Sequence, residues 1–226
     1  MTTSWLPQGT VYGTLLNFKA ERTQMAAQMT EPPYKAPPQA PVLFINTANT
    51  LNASGGVVAV PSNVPEVEIG ATFGIVIGSA DQSNRAQAAP LSIANRIAGF
   101  VLMNDLSIPH ASFFRPPVKF KCLDGFLGIG AQVVNTELAG DPSQFKLEVR
   151  INGVLKQNVD FSNLHRTAST LLADVNEFMT LQAGDVLMLG CDAGRPLANV
   201  GDRIDISAPT LPAFGTLSHT LVAEVS

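Results

Sequence analysis

Two polar residues that end an apolar segment near the middle of the chain have types that could serve a reaction site. Asn104 and Asp105 close the segment FVLMND, whose apolar run predicts a buried strand. A carboxylate in this place can line the mouth of a pocket and exchange a proton with a ligand. His110 follows in a proline-containing loop and could reach the same pocket, although a purely structural role fits it equally well.

The other histidines and the two cysteines give weaker signals. His165 lies among apolar residues at helical spacing and His219 in a C-terminal strand, so both are interpreted as structural. Cys122 and Cys191 form no CxxC pair, and two thiols cannot build a disulfide framework. The sequence also lacks the Walker, Rossmann, GxSxG and HExxH motifs, so no common catalytic motif identifies an activity.

The charge of the chain argues against nucleic acid as a partner. Fourteen basic and eighteen acidic residues give a net charge of −4, without a basic run. Local cations in a pocket can still bind an anionic substrate. The sequence has no signal-peptide pattern at its start and no apolar run near the ~20 residues of a membrane helix. We expect a cytoplasmic location and no membrane partner.

Short strands dominate the predicted elements. Apolar runs predict strands at residues 11–16, 42–45, 71–78 and 100–105. In KLEVRI-NG-VLKQN, Asn152-Gly153 predicts the type I′ turn of a hairpin. Gly-Asp turns precede further strands in LQAGDVLMLG and VGDRIDIS. Five prolines in residues 31–41 indicate an ordered loop rather than a linker.

Three helices are predicted between these strands. The composition of NFKAERTQMAAQM favours one, and apolar spacing from Ser162 to Met179 predicts another, capped by Ser162 or Asn163. A short one is marked by Pro90, Ile93, Ile97 and Gly99. The chain is therefore predicted to be one α+β domain over residues 1–226, with residues 1–9 as a loose tail.

Five segments in order and spacing resemble the fumarylacetoacetate hydrolase superfamily, over about residues 10 to 222. They are GTLLNFKAERTQ, ATFGIVIG, FVLMND, SFFRPPVKFKCLDGF and MTLQAGDVLMLGCDAG. The segments PPYKAPP and SFFRPPVKFKCLDGF are most similar to the amino-terminal half of the bifunctional isomerase/decarboxylases of 4-hydroxyphenylacetate (homoprotocatechuate) breakdown. Because the chain stops at Ser226, it resembles the form in which the halves are separate subunits.

The resemblance implies a β-rich mixed sandwich roll with a few short peripheral helices. It also implies a homodimer, or a heterodimer with a metal-binding homologous subunit. The implied substrates are 2-oxo-hept-3-ene-1,7-dioate-type acids and their tricarboxylate precursor, which react through an enolate. The alternative is a metal-poor, non-catalytic partner subunit or a carboxylate-binding pseudo-enzyme of the same fold.

The resemblance also implies Mg²⁺ or Mn²⁺, which members of the superfamily hold with three carboxylates. Asp105 matches the third ligand, but Gly70 and Thr72 occupy the other two places. Glu66 and Glu68 have the Glu-x-Glu spacing but lie four residues too early, about 13 Å along a strand. They are interpreted as solvated surface carboxylates, with an alternative loop path that brings them to the ligand positions as the other interpretation. We expect this chain to bind the cation weakly.

Two further family motifs are altered. The superfamily's His-x-x-Glu pair corresponds to Glu21 and Gln24, of which Glu21 could still act as a base. A Gly-Thr-Pro loop corresponds to GCDAG, where Cys191 is interpreted as a packed thiol rather than a nucleophile, since no helix N-terminus or cation is evident beside it. The resemblance implies substrate contacts from Asn17, Asn104, Arg115, Cys191 and Asp192.

Lys121, with Asp124 three residues on, is the implied catalytic cation. A fixed ammonium stabilises an enolate oxygen, whereas a Lys121–Asp124 ion pair on the surface would be worth little. At ~4 Å and an effective dielectric of ~20 the ammonium contributes about 4 kcal/mol, on the order of a thousandfold in rate. Enzymes need about 8 kcal/mol or more. The chain alone is therefore expected to be slow.

Overall fold

The computed structural model describes residues 4–79, 96–110 and 114–224. Fourteen strands are present in this part of the chain. They are β1 Val11–Leu15, β2 Val42–Asn46, β3 Leu51–Ala53, β4 Val57–Val60, β5 Val67–Glu68, β6 Ala71–Ile77, β7 Ile97–Asp105, β8 Leu127–Val134, β9 Lys146–Ile151, β10 Val154–Asp160, β11 Val186–Met188, β12 Leu197–Ala198, β13 Arg203–Ser207 and β14 Thr216–Ala223. The α-helices are short: α1 Lys19–Met25, α2 Val118–Lys121, α3 Thr136–Ala139 and α4 Ala168–Asn176.

The strands form two larger sheets and one small ribbon. The order in the seven-stranded sheet is β2-β1-β11-β6-β7-β8-β3, and in the five-stranded sheet it is β10-β9-β13-β14-β4. Strands β12 and β5 pair separately. A buried apolar cluster contains residues of both larger sheets, with the rings of Phe73, Phe145 and Phe214 in mutual contact. The predicted β-rich α+β class is confirmed.

The central strands β6 and β7 position the candidate site. Every residue of β6 is buried, as expected for a strand covered on both faces. The two strands pair antiparallel, with Ala71 opposite Asn104. One step further, the amide of Asp105 donates to the carbonyl of Gly70 at 2.8 Å. The end of β7 and the start of β6 therefore lie together.

The hairpin and most strands follow the sequence prediction. Strands β9 and β10 flank Asn152 and Gly153, whose φ angles are 51° and 78°. The Gly-Asp turns precede β11 and β13. Residues 4–9 also contact the larger sheet, since the amide of Trp5 donates to the carbonyl of Ala131 in β8 at 3.4 Å. None of the helices in the described ranges is both long and apolar enough to cross a membrane.

The prediction of a short helix from Pro90 to Gly99 is wrong at the positions that the structure describes. Ile97 and Gly99 belong to β7, and Gly99 pairs with Val76. A Cβ at Gly99 would lie 2.3 Å from the carbonyl oxygen of Val134, so this glycine permits close strand approach. Sheet pairing thus overrode the local helix signal. Pro90 and Ile93 lie outside the described residues.

The helix predicted from Ser162 to Met179 is shorter and has a different cap. Phe161–Asn163 form a 3₁₀ turn, and α4 begins after Thr167, whose Oγ1 accepts from the amide of Thr170 at 3.2 Å. Leu164 forms a bridge with Phe18, and this extended pairing excludes a helix there. Tertiary contact therefore delays the start of the helix.

Replacing Thr167 by alanine is expected to destabilise the protein by about 1 kcal/mol, because an orphan amide of the first helical turn loses its acceptor. Urea denaturation followed by circular dichroism measures this. Ser162→Ala is the matched control, since Ser162 does not cap α4, and it should change stability little. Equal losses in the two variants would contradict the cap assignment.

Candidate functional site

A buried ion pair joins Lys121 to Asp105. The Nζ–Oδ2 distance is 2.6 Å, and the two side chains are 0% and 4% exposed. Residue Asp105 ends β7, and Lys121 ends α2. The amide of Ile108 donates to the carbonyl of Phe120 at 2.9 Å, which fixes α2 over the end of β7. The ammonium also lies 5.2 Å from the ring centroid of Phe44.

Lys121 does not pair with Asp124. The alternative interpretation, a surface ion pair, required that contact. Asp124 is exposed, and its Oδ1 accepts from Nδ2 of Asn49 at 2.6 Å. Burial changes the energetics of the pair that does form. Removing one partner of a buried ion pair leaves an uncompensated charge and costs about 3–5 kcal/mol, far above the value of a surface pair.

Arg195, which sequence reasoning missed, forms a second buried ionic contact. Its guanidinium donates to Glu21 Oε1 at 2.7 Å and to Glu68 Oε2 at 3.1 Å, with the arginine side chain 8% exposed. Glu21 lies on α1 and Glu68 on β5. Pairing of Glu68 with Leu197 places the loop that carries Arg195 beside β5.

The interpretation of Glu68 as a solvated surface carboxylate is therefore wrong. Its side chain is 26% exposed and holds the arginine. The one signal in the sequence that pointed to Arg195 was its position immediately after the GCDAG loop, in a region with acidic residues. The acids that it binds are 174 and 127 residues away along the chain, so no local pattern could reveal the contact.

The electrostatics of this cluster favour a charged arginine and a proton-binding Glu21. Desolvation raises the pKa of Glu21 above its ordinary value, and the positive charge of Arg195 opposes that rise only in part. Burial alone would lower the pKa of Arg195, but Cys191, Glu21 and Glu68 raise it overall. Because a carboxyl group with a raised pKa holds its proton closer to neutral pH, Glu21 is suited to proton transfer.

Cys191 lies among these charges as a neutral thiol. Burial raises its pKa to about 12, an effect that Arg195 opposes and the Asp105 carboxylate reinforces. Its Sγ lies 3.9 Å from Asp105 Oδ2. A thiol with this pKa is almost fully protonated at neutral pH, so Cys191 does not have the thiolate of a cysteine nucleophile. The guanidinium of Arg195 is nonetheless close to Cys191, which the sequence did not indicate.

The two positions at which the resemblance places further metal ligands are closed. A Cβ at Gly70 would lie 2.3 Å from the carbonyl oxygen of Asp105 and 3.0 Å from Cys191 Sγ. Thr72 is fully buried and donates its hydroxyl to the carbonyl of Gly190 at 2.6 Å. The backbone of Asp105 therefore fills the space that a side chain at position 70 would need.

The residues present therefore do not fit a divalent cation. Mg²⁺ demands octahedral coordination by oxygens at ~2 Å, and Asp105 is engaged by Lys121. In the described ranges no group of three or more His, Cys, Asp or Glu side chains could hold a metal ion. A divalent ion ~4 Å from the guanidinium of Arg195 would also be repelled by about 8 kcal/mol at an effective dielectric of ~20.

The asparagines expected to contact substrate make contacts within the protein. Nδ2 of Asn17 donates to the carbonyl of Leu189 at 2.8 Å, and its Oδ1 accepts from the amide of Arg166 at 3.0 Å. Oδ1 of Asn104 accepts from the amide of Gly70 at 3.3 Å, while its buried Nδ2 has no partner in the described part of the chain. Asn17 thus clamps the loops around the site.

The other expected site residues lie at the edge of the cluster or outside it. Oδ1 of Asp192 accepts from the amide of Ala193 at 2.8 Å, and its carbonyl faces Nε of Arg195 at 3.4 Å. Burial raises the pKa of Asp192. Arg115 is exposed ahead of α2, and Gln24 is exposed on α1.

The histidines serve structural contacts. His110 stacks on Phe120 with centroids 4.5 Å apart, and its Nδ1 lies 2.9 Å from the carbonyl of Ile108. His165 is exposed and is not part of a helix. His219 is 2% exposed and bonds to the carbonyl of Ala53 at 3.1 Å.

Acid is expected to destabilise the fold through His219. Burial lowers its pKa below the ordinary value, although a backbone carbonyl opposes this. The unfolded chain therefore binds the proton more readily, and stability falls as the pH drops below about 6.5 towards the folded-state pKa. Urea titrations at several pH values measure this. His219→Gln should flatten the dependence more than His165→Gln, which removes an exposed histidine whose pKa is also lowered, by desolvation and by nearby cations; the opposite ranking would contradict the assignment.

Comparisons with known proteins agree with this fold. The family model described as "Fumarylacetoacetate (FAA) hydrolase C-terminal" matches residues 10–222. A 4-hydroxyphenylacetate degradation bifunctional isomerase/decarboxylase of Salmonella dublin is 35% identical over 219 residues, which are 96% of this chain and 48% of the relative. Its counterpart in Escherichia coli is 33% identical over 205 residues, which are 91% and 46% of the two chains. The chain thus spans about half the length of these relatives.

Solved structures show the same fold at lower identity. The 2-hydroxyhepta-2,4-diene-1,7-dioate isomerase of Mycobacterium marinum has a TM-score of 0.75 at 22% identity, covering 99% of this chain and 78% of the other. Maleylpyruvate hydrolase of Sphingobium sp. SYK-6, in complex with manganese(II) and pyruvate, has a TM-score of 0.74 at 20% identity, covering 97% and 72%. On the family match and the identity to the isomerase/decarboxylases, the chain belongs to the fumarylacetoacetate hydrolase family.

Proposed function

We propose that this chain is one of two homologous units of an isomerase/decarboxylase of 4-hydroxyphenylacetate breakdown. Its substrates would be 2-oxo-hept-3-ene-1,7-dioate-type acids and their tricarboxylate precursor. The proposal is supported by the 33–35% identity to such enzymes. The structural observation that supports it most is the buried Lys121–Asp105 pair in one cluster with Glu21, whose pKa is raised.

An enolate connects the two proposed reactions. In decarboxylation the electron pair of the breaking C–C bond passes into the 2-oxo group as CO₂ leaves. In isomerisation the pair of a breaking C–H bond does so as a base takes the proton. In both, Lys121 would stabilise the negative oxygen, and Glu21 would exchange the proton with carbon. For this to occur, the ammonium group of Lys121 must move from Asp105 towards the substrate oxygen.

The lysine alone supplies too little stabilisation for a typical enzyme, about 4 kcal/mol against the ~8 kcal/mol that enzymes usually reach. We therefore propose that the metal-dependent chemistry falls mainly to a second, metal-binding unit, in a homologous heterodimer. At the rim of this site, Arg115 would contact a substrate carboxylate and Asp192 would contact the partner.

A second candidate function is favoured by the closed state of the cluster. Both buried cations are held by carboxylates, and the backbone fills the space beside Gly70. This closed cluster would be sufficient for a metal-poor subunit that only stabilises a catalytic partner. It would also be sufficient for a subunit that binds a carboxylate without turnover.

Assays of this chain alone, of the metal-binding unit alone and of both together separate the two functions. Each is run with magnesium or manganese on the 2-oxo dicarboxylate and its tricarboxylate precursor. We expect weak turnover by this chain and a gain on mixing. Full activity of the metal-binding unit alone would remove the proposed role. Binding without turnover, seen as a thermal shift with a 2-oxo dicarboxylate, would support the second candidate.

A further inference from the structure

Arg195 connects the proposed base, Glu21, to a second acidic residue on another element. Its Nη2 donates to Oε1 of Glu21 at 2.7 Å, and its Nη1 donates to Oε2 of Glu68 at 3.1 Å. The side chains of Arg195 and Glu21 are 8% and 7% exposed. Because the donors of a guanidinium have a fixed fork geometry, anchors on α1 and β5 hold the group in one orientation.

The two carboxylate oxygens of Glu21 have different surroundings. Oε1 accepts from Arg195, whereas Oε2 is buried and has no hydrogen-bond partner among the residues that the structure describes. An ionised carboxylate can accept through both of its oxygens. Because a base needs an oxygen that other donors do not occupy, Oε2 is the atom of Glu21 that is available to a proton.

We propose that Arg195 is a positioning residue, which holds Oε1 of Glu21 and leaves Oε2 to exchange the proton with carbon of the 2-oxo acid. As the C–H bond breaks, its electron pair passes into the 2-oxo group and the proton goes to Oε2. The return step transfers the proton to another carbon of the enolate. Glu68 acts one step further away, since it holds the guanidinium from the other side. The inference rests on the proposed function, because it assigns the proton-accepting atom of that reaction.

Charges on neighbouring elements determine the pH at which Glu21 loses its proton. Burial raises the pKa of this carboxyl group, and the largest opposing influence is the guanidinium of Arg195. The other groups that face it are the amide of Leu16 and the ammonium of Lys121, which lower the pKa, the carboxylate of Asp192, which raises it, and the neutral thiol of Cys191. Without Arg195, Glu21 would therefore keep its proton to a higher pH.

The test compares the wild type with Arg195→Met, Arg195→Lys and Arg203→Met. Arg203 is a surface arginine, 62% exposed, so its replacement is the matched control for loss of one arginine charge. The protonation of Glu21 is followed by ¹³C NMR of the side-chain carboxyl carbons in glutamate-labelled protein, and Glu21→Gln assigns the signal. Steady-state rates of the purified chains with the 2-oxo dicarboxylate, supplied with magnesium or manganese, are measured over the same pH range.

In Arg195→Met the pKa of Glu21 should rise by at least about one, because a nearby opposite charge lowers the pKa of a carboxyl group by about 1–3. The acid limb of kcat/KM should move to higher pH with it, since the base acts only when deprotonated. On the high-pH plateau kcat should fall by up to about a hundredfold, because the base is no longer oriented. KM should change little, since Arg195 does not touch the substrate.

The remaining variants separate charge from orientation. Arg195→Lys restores a positive charge without the planar fork, so it should recover more of the pKa than of kcat. Arg203→Met should match the wild type in both measurements. A merely structural role for Arg195 predicts that the folded variants share the titration of Glu21 and the pH profile of the wild type.

Two results would overturn the inference. One is a folded Arg195→Met in which the pKa of Glu21 equals that of the wild type, and the other is an unchanged kcat on the high-pH plateau of that variant. If Arg195→Met does not fold, Glu68→Gln, which removes one anchor of the guanidinium, takes its place, and an unchanged kcat there overturns the inference. Failure of the proposed function is seen separately, as a wild type without turnover, because the NMR titration needs no reaction.

Discussion

Replacing Lys121 by methionine is expected to lower turnover of the 2-oxo acid by about a thousandfold and to destabilise the fold by about 3–5 kcal/mol. The loss of rate follows from the ~4 kcal/mol that an ammonium near an enolate oxygen contributes. The loss of stability follows because Asp105, which is 4% exposed on its side chain, keeps its charge without a partner. Steady-state kinetics of the purified variant alone, supplied with magnesium or manganese, and urea denaturation measure the two effects.

Two further variants separate the parts of this prediction. Lys146→Met removes a lysine whose pair with Asp160 is 3.6 Å apart and exposed, so it should cost no more than about 0.5 kcal/mol. Adding Asp105→Leu to Lys121→Met removes the stranded charge and should restore much of the stability, but not the activity. Unchanged turnover in Lys121→Met would rule out Lys121 as the catalytic cation.

Adding a side chain at Gly70 is expected to destabilise the protein rather than to recreate a metal ligand. In Gly70→Ala the methyl group would lie 2.3 Å from the carbonyl oxygen of Asp105, a backbone atom that cannot rotate away. Overpacking of this kind costs about 1–3 kcal/mol. Gly70→Glu adds the burial of a carboxylate to the same clash, so we expect a larger loss and no stoichiometric Mn²⁺.

Gly78→Ala is the control for Gly70→Ala. Its nearest contact would be 3.3 Å, to the side chain of Ala98, and neither glycine has a positive φ angle. Both variants gain the same small stabilisation from a less flexible unfolded chain, so the difference between their urea midpoints reports the clash. A Gly70→Ala variant as stable as Gly78→Ala would show that room for a ligand side chain exists after all.

Local patterns predicted those elements that depend on local geometry. Asn152 and Gly153 specify their turn because few residues adopt positive φ angles easily. The apolar run before Asn104 specified a buried strand and put a carboxylate at its end. The prediction failed where contacts with distant segments favoured a different structure from the one that the local sequence pattern indicated. Gly99 looked like the end of a helix but permits close approach to Val134.

Residue types predicted the β-rich α+β class and placed Gly70 and Thr72 at the two positions where the resemblance implies carboxylates. Those properties are carried by residue type and spacing along the chain. Which charged side chains pair with one another depends instead on how the sheets and helices pack. Lys121 pairs with Asp105, 16 residues away, rather than with Asp124, because burial of α2 against β7 brings those atoms together. Arg195 meets Glu21 across 174 residues, and an ion pair between distant segments exists only once the sheets have formed.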